Sequence, residues 1–362
     1  MTEQFVGYAA LQPYVKDNKD TELKVHTFES RPLDADDVEI EVAALTNLPP
    51  VAAQIFTSLQ MQVEGWNRAN FPLIPGHEFI GHIVAVGDKV NQLKIGDRVG
   101  VSPVAGSCGT CKECTSAFGQ LCANKVLTYN GMHKGFRTYG GYANKVRVQE
   151  SWAIKIPDNI SSEEGAPLLC AGVTTYLPFK HHDLGPQQRV GILGIGGLGH
   201  LAIQWARARG CKEVVVISSS SNKKEEAIKL GATQFAVNSP EELTKRSKSL
   251  DALLVCGSGP STNWGQLLDL LDDHGKLILL DLPEQPIAIP PAALVYRHLS
   301  IVGSFVGSNV DLAEMLALAS ETGVRPWIEK VGNSCEEVNN GIKQLMSGKA
   351  RYRVVICGKG RQ

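Results

Sequence analysis

The chain has 362 residues, enough for two or three domains with cores of their own, which excludes a small disulfide-stapled module. Its 36 Lys and Arg stand against 37 Asp and Glu, a formal charge of -1, so no bulk attraction to nucleic acid or to a membrane surface is built in. These figures point to a protein that handles a small molecule.

Residues 1–11 carry Glu3 and no basic cluster ahead of an apolar run, and no stretch of about 18 apolar residues occurs, so a soluble, cytoplasmic protein is expected. From residue 22 to about 151, short apolar runs at 38–44, 78–86, 98–101 and 142–148 are cut by turn residues and predict an irregular all-β layer. From 188 to about 304 the rhythm changes. Apolar strands at 190–193, 214–217, 252–255 and 276–280 alternate with helical stretches at 200–209, 223–230 and 264–271, the pattern of a parallel sheet covered by helices. Helices at 311–322 and 335–346 then lead into a short strand at 352–357, whose packing partner no local pattern names.

Nine cysteines are present, and four of them, Cys108, Cys111, Cys114 and Cys122, share one short segment. Four soft sulfur donors at such spacing are the signature of a closed, structural zinc site with no water position and no chemistry of its own. Gly194, Gly196 and Gly199 form GxGxxG directly after the 190–193 strand and before the 200–209 helix. In that context the glycines allow a tight turn, a close approach of backbone to a pyrophosphate, and close packing of helix on strand. The next strand ends in Ser218, Ser219, Ser220, Ser221, Asn222, Lys223 and Lys224, with no carboxylate to hold a ribose 2′-hydroxyl. Hydroxyls and a lysine suit a 2′-phosphate, so NADPH is expected; the serines also suit a helix N-cap.

Gly76-His77-Glu78 followed by GHIVAVGDKV, then IGDRVGV, the cysteine segment, YGGYA, LLCAGVT at 168–174, GIGGLGH, ISSSSNKK and Arg351-Tyr352-Arg353 occur in this order. From about residue 36 to 355 the chain thereby resembles the zinc-containing medium-chain alcohol dehydrogenases, and within them the cinnamyl alcohol dehydrogenase type. The resemblance implies an α/β plus β fold, a Rossmann doubly wound parallel sheet with a GroES-like β-barrel catalytic domain. It divides the chain into a catalytic domain with the structural zinc lobe at 1–165, a Rossmann NADPH-binding domain at 166–303 and a C-terminal return to the catalytic domain at 304–362. The active site is then expected in the cleft between the domains. By the same resemblance, Gly194, Gly196, Gly197, Leu198 and Gly199 meet the phosphates, Ser218, Ser219, Ser220 and Lys223 read the 2′-phosphate, and Thr174 with Ser304, Phe305 and Val306 flanks the nicotinamide. A homodimer joined sheet to sheet near 299–303 is implied as well. Asp281 departs from the pattern, standing where relatives commonly carry a small residue such as Gly.

The resemblance also implies a second, catalytic zinc, held by a cysteine of a CxxCH(S/T)D-like segment, by the His of GHE and by the Cys of LLCAG, with the GHE glutamate near or on the metal. His77, Glu78 and Cys170 match; the first cysteine does not, since Leu48 falls at its place and Pro50 at the proton-relaying Ser or Thr. Residues 43–63 hold no Cys, His, Asp or Glu, and Glu64 is the first candidate beyond them. The 48–77 stretch is longer than in relatives, with 56–61 expected to form a remodelled helix and Phe56, Met61 and Trp66 to shape the pocket. The favoured expectation is that the catalytic zinc is lost, leaving one structural zinc; a zinc on His77, Glu78 and Cys170 with a water is the alternative.

Without a Lewis acid, simple alcohol oxidation loses several kcal/mol of charge stabilisation. The expected activity is therefore NADPH-dependent reduction of an activated acceptor, an iminium ion or a conjugated enal or enone, by proximity to the nicotinamide. Candidate proton donors are Glu78, His77, Thr46 and Tyr176. Against these stand plainer readings: Glu78 paired with a buried Arg or Lys, and His77 satisfied within the core. Two other functions remain open, a zinc-dependent alcohol or aldehyde oxidoreductase with a reduced ligand set, and a protein that binds NADPH without turnover.

Overall fold

In the computed structural model, residues 2–13, 15, 18–42, 69–116, 118–283 and 285–358 are described, together with the backbone of Ala52–Gln54. The chain divides into two compact units, Met1–Cys170 with Gly307–Glu321 and Arg325–Gln362, and Ala171–Val306 with Thr322–Val324.

In the first unit the apolar runs become strands whose side chains fill one core. Phe79–Val86 pairs antiparallel with Asp37–Glu41 on one side and with Arg98–Val101 on the other, and Lys145–Gln149 extends the sheet beyond Asp37–Glu41. Val38, Ile40, Phe79, Ile80, Ile83, Val99, Val101 and Val148 are all buried, and the adjacent pair Phe79 and Ile80 shows that this sheet is covered on both faces there. The C-terminal strand Arg353–Cys357 belongs to this same sheet. It runs antiparallel to Ala52–Gln54 and parallel to Ile328–Val331, which ties it into the sheet of the first unit.

The strand expected at 142–148 starts only at Lys145, and the reason is local. The amides of Gly140, Gly141 and Tyr142 donate to the carbonyls of Ile74, Gly76 and Pro75 at 2.9, 2.8 and 3.0 Å, which takes them out of the ladder and clamps the segment that precedes His77. A Cβ at residue 140 would stand 2.2 Å from the Gly76 carbonyl oxygen, so only glycine permits this approach.

The second unit is a six-stranded parallel sheet in the order Gln234–Val237, Glu213–Ser218, Arg189–Leu193, Leu250–Val255, Leu271–Leu279, Ser300–Gly303. Read by chain position this is 3-2-1-4-5-6, the doubly wound order that places a binding crevice at the carboxyl ends of its two central strands. Leu193, Val215, Ile217, Leu253, Val255, Leu267 and Leu277 form its core. Helix Trp264–Asp269 ends sooner than its apolar run promised: Leu271 pairs with Leu250 and opens the next strand. No helix among the described residues is long and apolar enough to cross a membrane.

Candidate functional site

Cys108, Cys111, Cys114 and Cys122 converge around one point. Their sulfurs lie 3.5 Å apart for 111–114, 3.7 Å for 111–122, 3.6 Å for 108–122 and 3.9 Å for 108–114. A tetrahedron of zinc–sulfur bonds of about 2.3 Å has edges of about 3.8 Å, so the four thiols fit zinc with no ligand missing. Backbone N–H groups aimed at Cys108, foremost that of Thr110, draw its thiol down to about 6, which favours the thiolate a metal needs.

A second cluster lies in the same unit, where ligand atoms of His77, Glu78 and Cys170 all fall within 4.8 Å of one another. Two devices deliver them. His77 and Glu78 lie in the turn clamped by the Gly140 segment, just before strand Phe79–Val86. Cys170 sits in a π-helical turn, Leu168–Gly172, a local insertion often found where a side chain is aimed for function. The His77 ring stacks on Tyr129, with centroids 5.6 Å apart and planes 1° from parallel. Burial, and then the nearby Arg353 guanidinium, push His77 down to about 3, so it is neutral at physiological pH.

Glu78 is not simply a third ligand. Arg353, the first residue of the closing strand, donates from Nη2 to both of its carboxylate oxygens, at 2.8 and 2.9 Å. With 1% and 2% of the two side chains exposed, this is a fully desolvated ion pair. A metal at this cluster must share Glu78 with a guanidinium. The plainer reading of Glu78, a carboxylate paired with a buried arginine, is what the structure contains.

In the second unit, helix Gly199–Ala208 begins directly beyond the glycine turn, its N-terminal amides at the carboxyl end of strand Arg189–Leu193. A Cβ at Gly199 would come within 1.8 Å of the Gly194 carbonyl oxygen, so a side chain there would force the helix off the turn, whereas above Gly196 the space is open. At the end of the neighbouring strand Ser218 is buried while Ser219 and Ser220 are exposed. Lys223 reaches back across to the turn, its Nζ donating to the Ile195 carbonyl at 2.7 Å. Hydroxyls, an ammonium and a helix N-terminus thus border one crevice, a donor set that fits a phosphorylated dinucleotide. Val306, at the end of the expected nicotinamide-flanking segment, is buried in the left-handed region at φ 44°, an uncommon state for a β-branched residue.

Family comparisons agree with both units. The alcohol dehydrogenase GroES-like domain matches residues 34–158, and the zinc-binding dehydrogenase family matches residues 197–321. A probable cinnamyl alcohol dehydrogenase of Oryza sativa subsp. japonica is 43% identical over 295 residues, 80% of each chain. The chain belongs to the zinc-type medium-chain alcohol dehydrogenases, in the cinnamyl alcohol dehydrogenase-like branch. Among solved structures, a cinnamyl alcohol dehydrogenase of Sorghum bicolor is 33% identical with a TM-score of 0.89, over 98% of this chain and 97% of its own. The enzyme CAD from Helicobacter pylori, complexed with NADP(H), is 30% identical with a TM-score of 0.87 over 98% of both chains. The protein is accordingly an oxidoreductase with a GroES-like and a Rossmann domain.

Within this dehydrogenase, His77, Glu78 and Cys170 come together, and so do the four lobe cysteines. Tyr176 lies in the second unit, buried, with its ring edge-on to Trp205 at 5.5 Å. Thr46, Leu48, Pro50, Glu64 and Trp66, and the helix expected at 56–61 with Phe56 and Met61, lie outside the described residues. Sequence reasoning quoted Arg353 as part of a motif and missed its role; a buried arginine opening an otherwise apolar strand was the signal that could have found it. It also left Asp281 unplaced. Both the N–H and the hydroxyl of Ser258 donate to Asp281 Oδ2 at 2.7 Å.

Proposed function

We propose that the protein is an NADPH-dependent reductase that delivers hydride to an activated acceptor, an iminium ion or a conjugated enal or enone, without a catalytic zinc. The observation that carries this reading is the capture of both Glu78 carboxylate oxygens by buried Arg353. That contact neutralises the one acidic donor of the cluster, in a chain whose sequence supplies no substitute at 43–63. One structural zinc on Cys108, Cys111, Cys114 and Cys122 completes the metal content of this proposal.

NADPH, when bound, supplies the hydride. The glycine turn 194–199 and the helix beyond it hold the pyrophosphate; Ser219, Ser220 and Lys223 hold the 2′-phosphate; Thr174 and residues 304–306 flank the ring. This positioning is the protein's main contribution, because an oriented donor and acceptor remove much of the entropic barrier. An iminium carbon that accepts hydride becomes a neutral amine with no proton needed, which suits a cluster whose histidine is neutral and whose glutamate is held by arginine. A conjugated acceptor becomes an enolate and takes its proton from solvent.

The 4.8 Å convergence of His77, Glu78 and Cys170 favours a second reading, an alcohol or aldehyde oxidoreductase with a three-ligand zinc. The two part on one assay: NADPH consumption on a panel of iminium ions and enals, with protein dialysed against a mild chelator and its zinc counted. Turnover that persists at one zinc per chain supports the proposal; turnover that tracks a second zinc overturns it.

We further infer a homodimer and a cytoplasmic location. Strand Ser300–Gly303 ends the six-stranded order, and an edge strand beside exposed Val295 and Tyr296 is a ready template for a second copy. None of the nine cysteines is joined in a disulfide, which suits a reducing compartment. Light scattering of the purified protein tests the first point, with a mass near 39.1 kDa contradicting it.

A further inference from the structure

Asp281 lies just beyond strand Leu271–Leu279, at the carboxyl edge of the parallel sheet. Its Oδ1 accepts the amide of Leu282 at 2.9 Å, while Oδ2 accepts both the amide and the hydroxyl of Ser258. Ser258 stands between Gly257 and Gly259 in the loop that follows strand Leu250–Val255. A Gly-Ser-Gly segment has little conformational preference of its own, so an anchored serine decides where that loop rests. The loop rests against the dinucleotide turn: backbone N, Cα and O of Gly257 lie 3.4 to 3.5 Å from the Cβ that Gly194 would carry.

In a 3-2-1-4-5-6 sheet the ligand crosses the carboxyl ends at the switch point, here between strands Arg189–Leu193 and Leu250–Val255. Ser219, Ser220 and Lys223 assign the adenosine half to one side of that point. The loop tied by Asp281 therefore walls the other side, that of the nicotinamide half. We infer that Asp281, through Ser258, is a positioning residue for the nicotinamide half of the cofactor, a function taken on by a carboxylate where the family pattern has a small residue.

The inference rests on the NADPH reading given above, and the test separates the two. NADPH and adenosine 2′,5′-bisphosphate, a probe of the adenosine half alone, are titrated calorimetrically into the full-length wild type, Asp281→Ala, Asp281→Asn and Ser258→Ala. Asp281→Ala is expected to weaken NADPH by about tenfold and to leave the bisphosphate within about twofold. Asp281→Asn, whose amide oxygen can still accept the Ser258 amide, is expected to recover most of the loss, and Ser258→Ala to lose about threefold. In the cofactor-free protein, amide exchange at 257–259 is expected to quicken in Asp281→Ala. Unchanged NADPH affinity, or equal weakening of both ligands, overturns the inference. A wild type that binds neither ligand overturns the NADPH reading instead. If Asp281→Ala does not fold, the Asn and Ser258→Ala variants decide by the same contrast.

Discussion

The cysteine lobe and the His77 cluster lie in one unit and both gather soft or borderline metal donors, yet they differ in what the rest of the fold does with them. In the lobe, four sulfurs sit at the corners of a zinc tetrahedron, 3.5 to 3.9 Å apart. At the other cluster, a buried arginine from the far end of the chain has taken the carboxylate, 275 residues away in sequence. On the proposal above, convergence of ligand atoms alone does not make a metal site. A carboxylate already held by a guanidinium inside a low-dielectric site offers a metal less net charge than a free one.

The sharpest way to break this comparison is to remove one lobe ligand. Cys111→Ser is expected to lower zinc content by one per chain and to destabilise the fold by several kcal/mol, read by elemental analysis and thermal unfolding. Retention of zinc and of stability would erase the contrast. Arg353→Ala leaves Glu78 buried without its guanidinium and is expected to cost about 3–5 kcal/mol in urea unfolding. The same variant, where it stays folded, is expected to take up a second zinc, since Glu78 is then available to His77 and Cys170. A smaller effect belongs to the cofactor side: Lys223→Ala is expected to weaken NADPH by about tenfold while leaving NADH little changed, with zinc content unaffected. Smallest of all, Cys170→Ser is expected to leave the zinc count where it was. A fall of one zinc in that variant would make the two clusters equals.

Much of this architecture was legible from the residues. The glycine turn between strand and helix and the cysteine spacing are local patterns that lie in the structure as their spacing implied, whereas the serine run, suited by composition to an N-cap, leads into its helix with no side-chain cap from Ser220. Long-range pairing was not legible. Nothing in residues 352–357 says that Arg353–Cys357 joins a sheet with Ala52–Gln54, so nothing in the sequence alone set Arg353 against Glu78. The helix expected at 264–271 failed at its end for a related reason: Leu270 and Leu271 continue an apolar rhythm that suits a helix, but Leu270 caps it and Leu271 pairs with Leu250 to open a strand. Helices Val173–His181 and Pro291–Arg297 carry prolines and weak polarity contrast, and they stay hidden from any reading of period. Asp281 was visible as a departure from the family, while its partner Ser258, on a different strand end, emerged only from the sheet order.

The proposal that the protein holds one structural zinc and no catalytic zinc is tested most directly by counting zinc in the purified full-length protein after gentle dialysis. The account predicts one zinc per chain, lost in Cys111→Ser and retained in Cys170→Ser. Two zincs per chain, one of them lost in Cys170→Ser, would contradict it and make an alcohol or aldehyde the substrate to pursue.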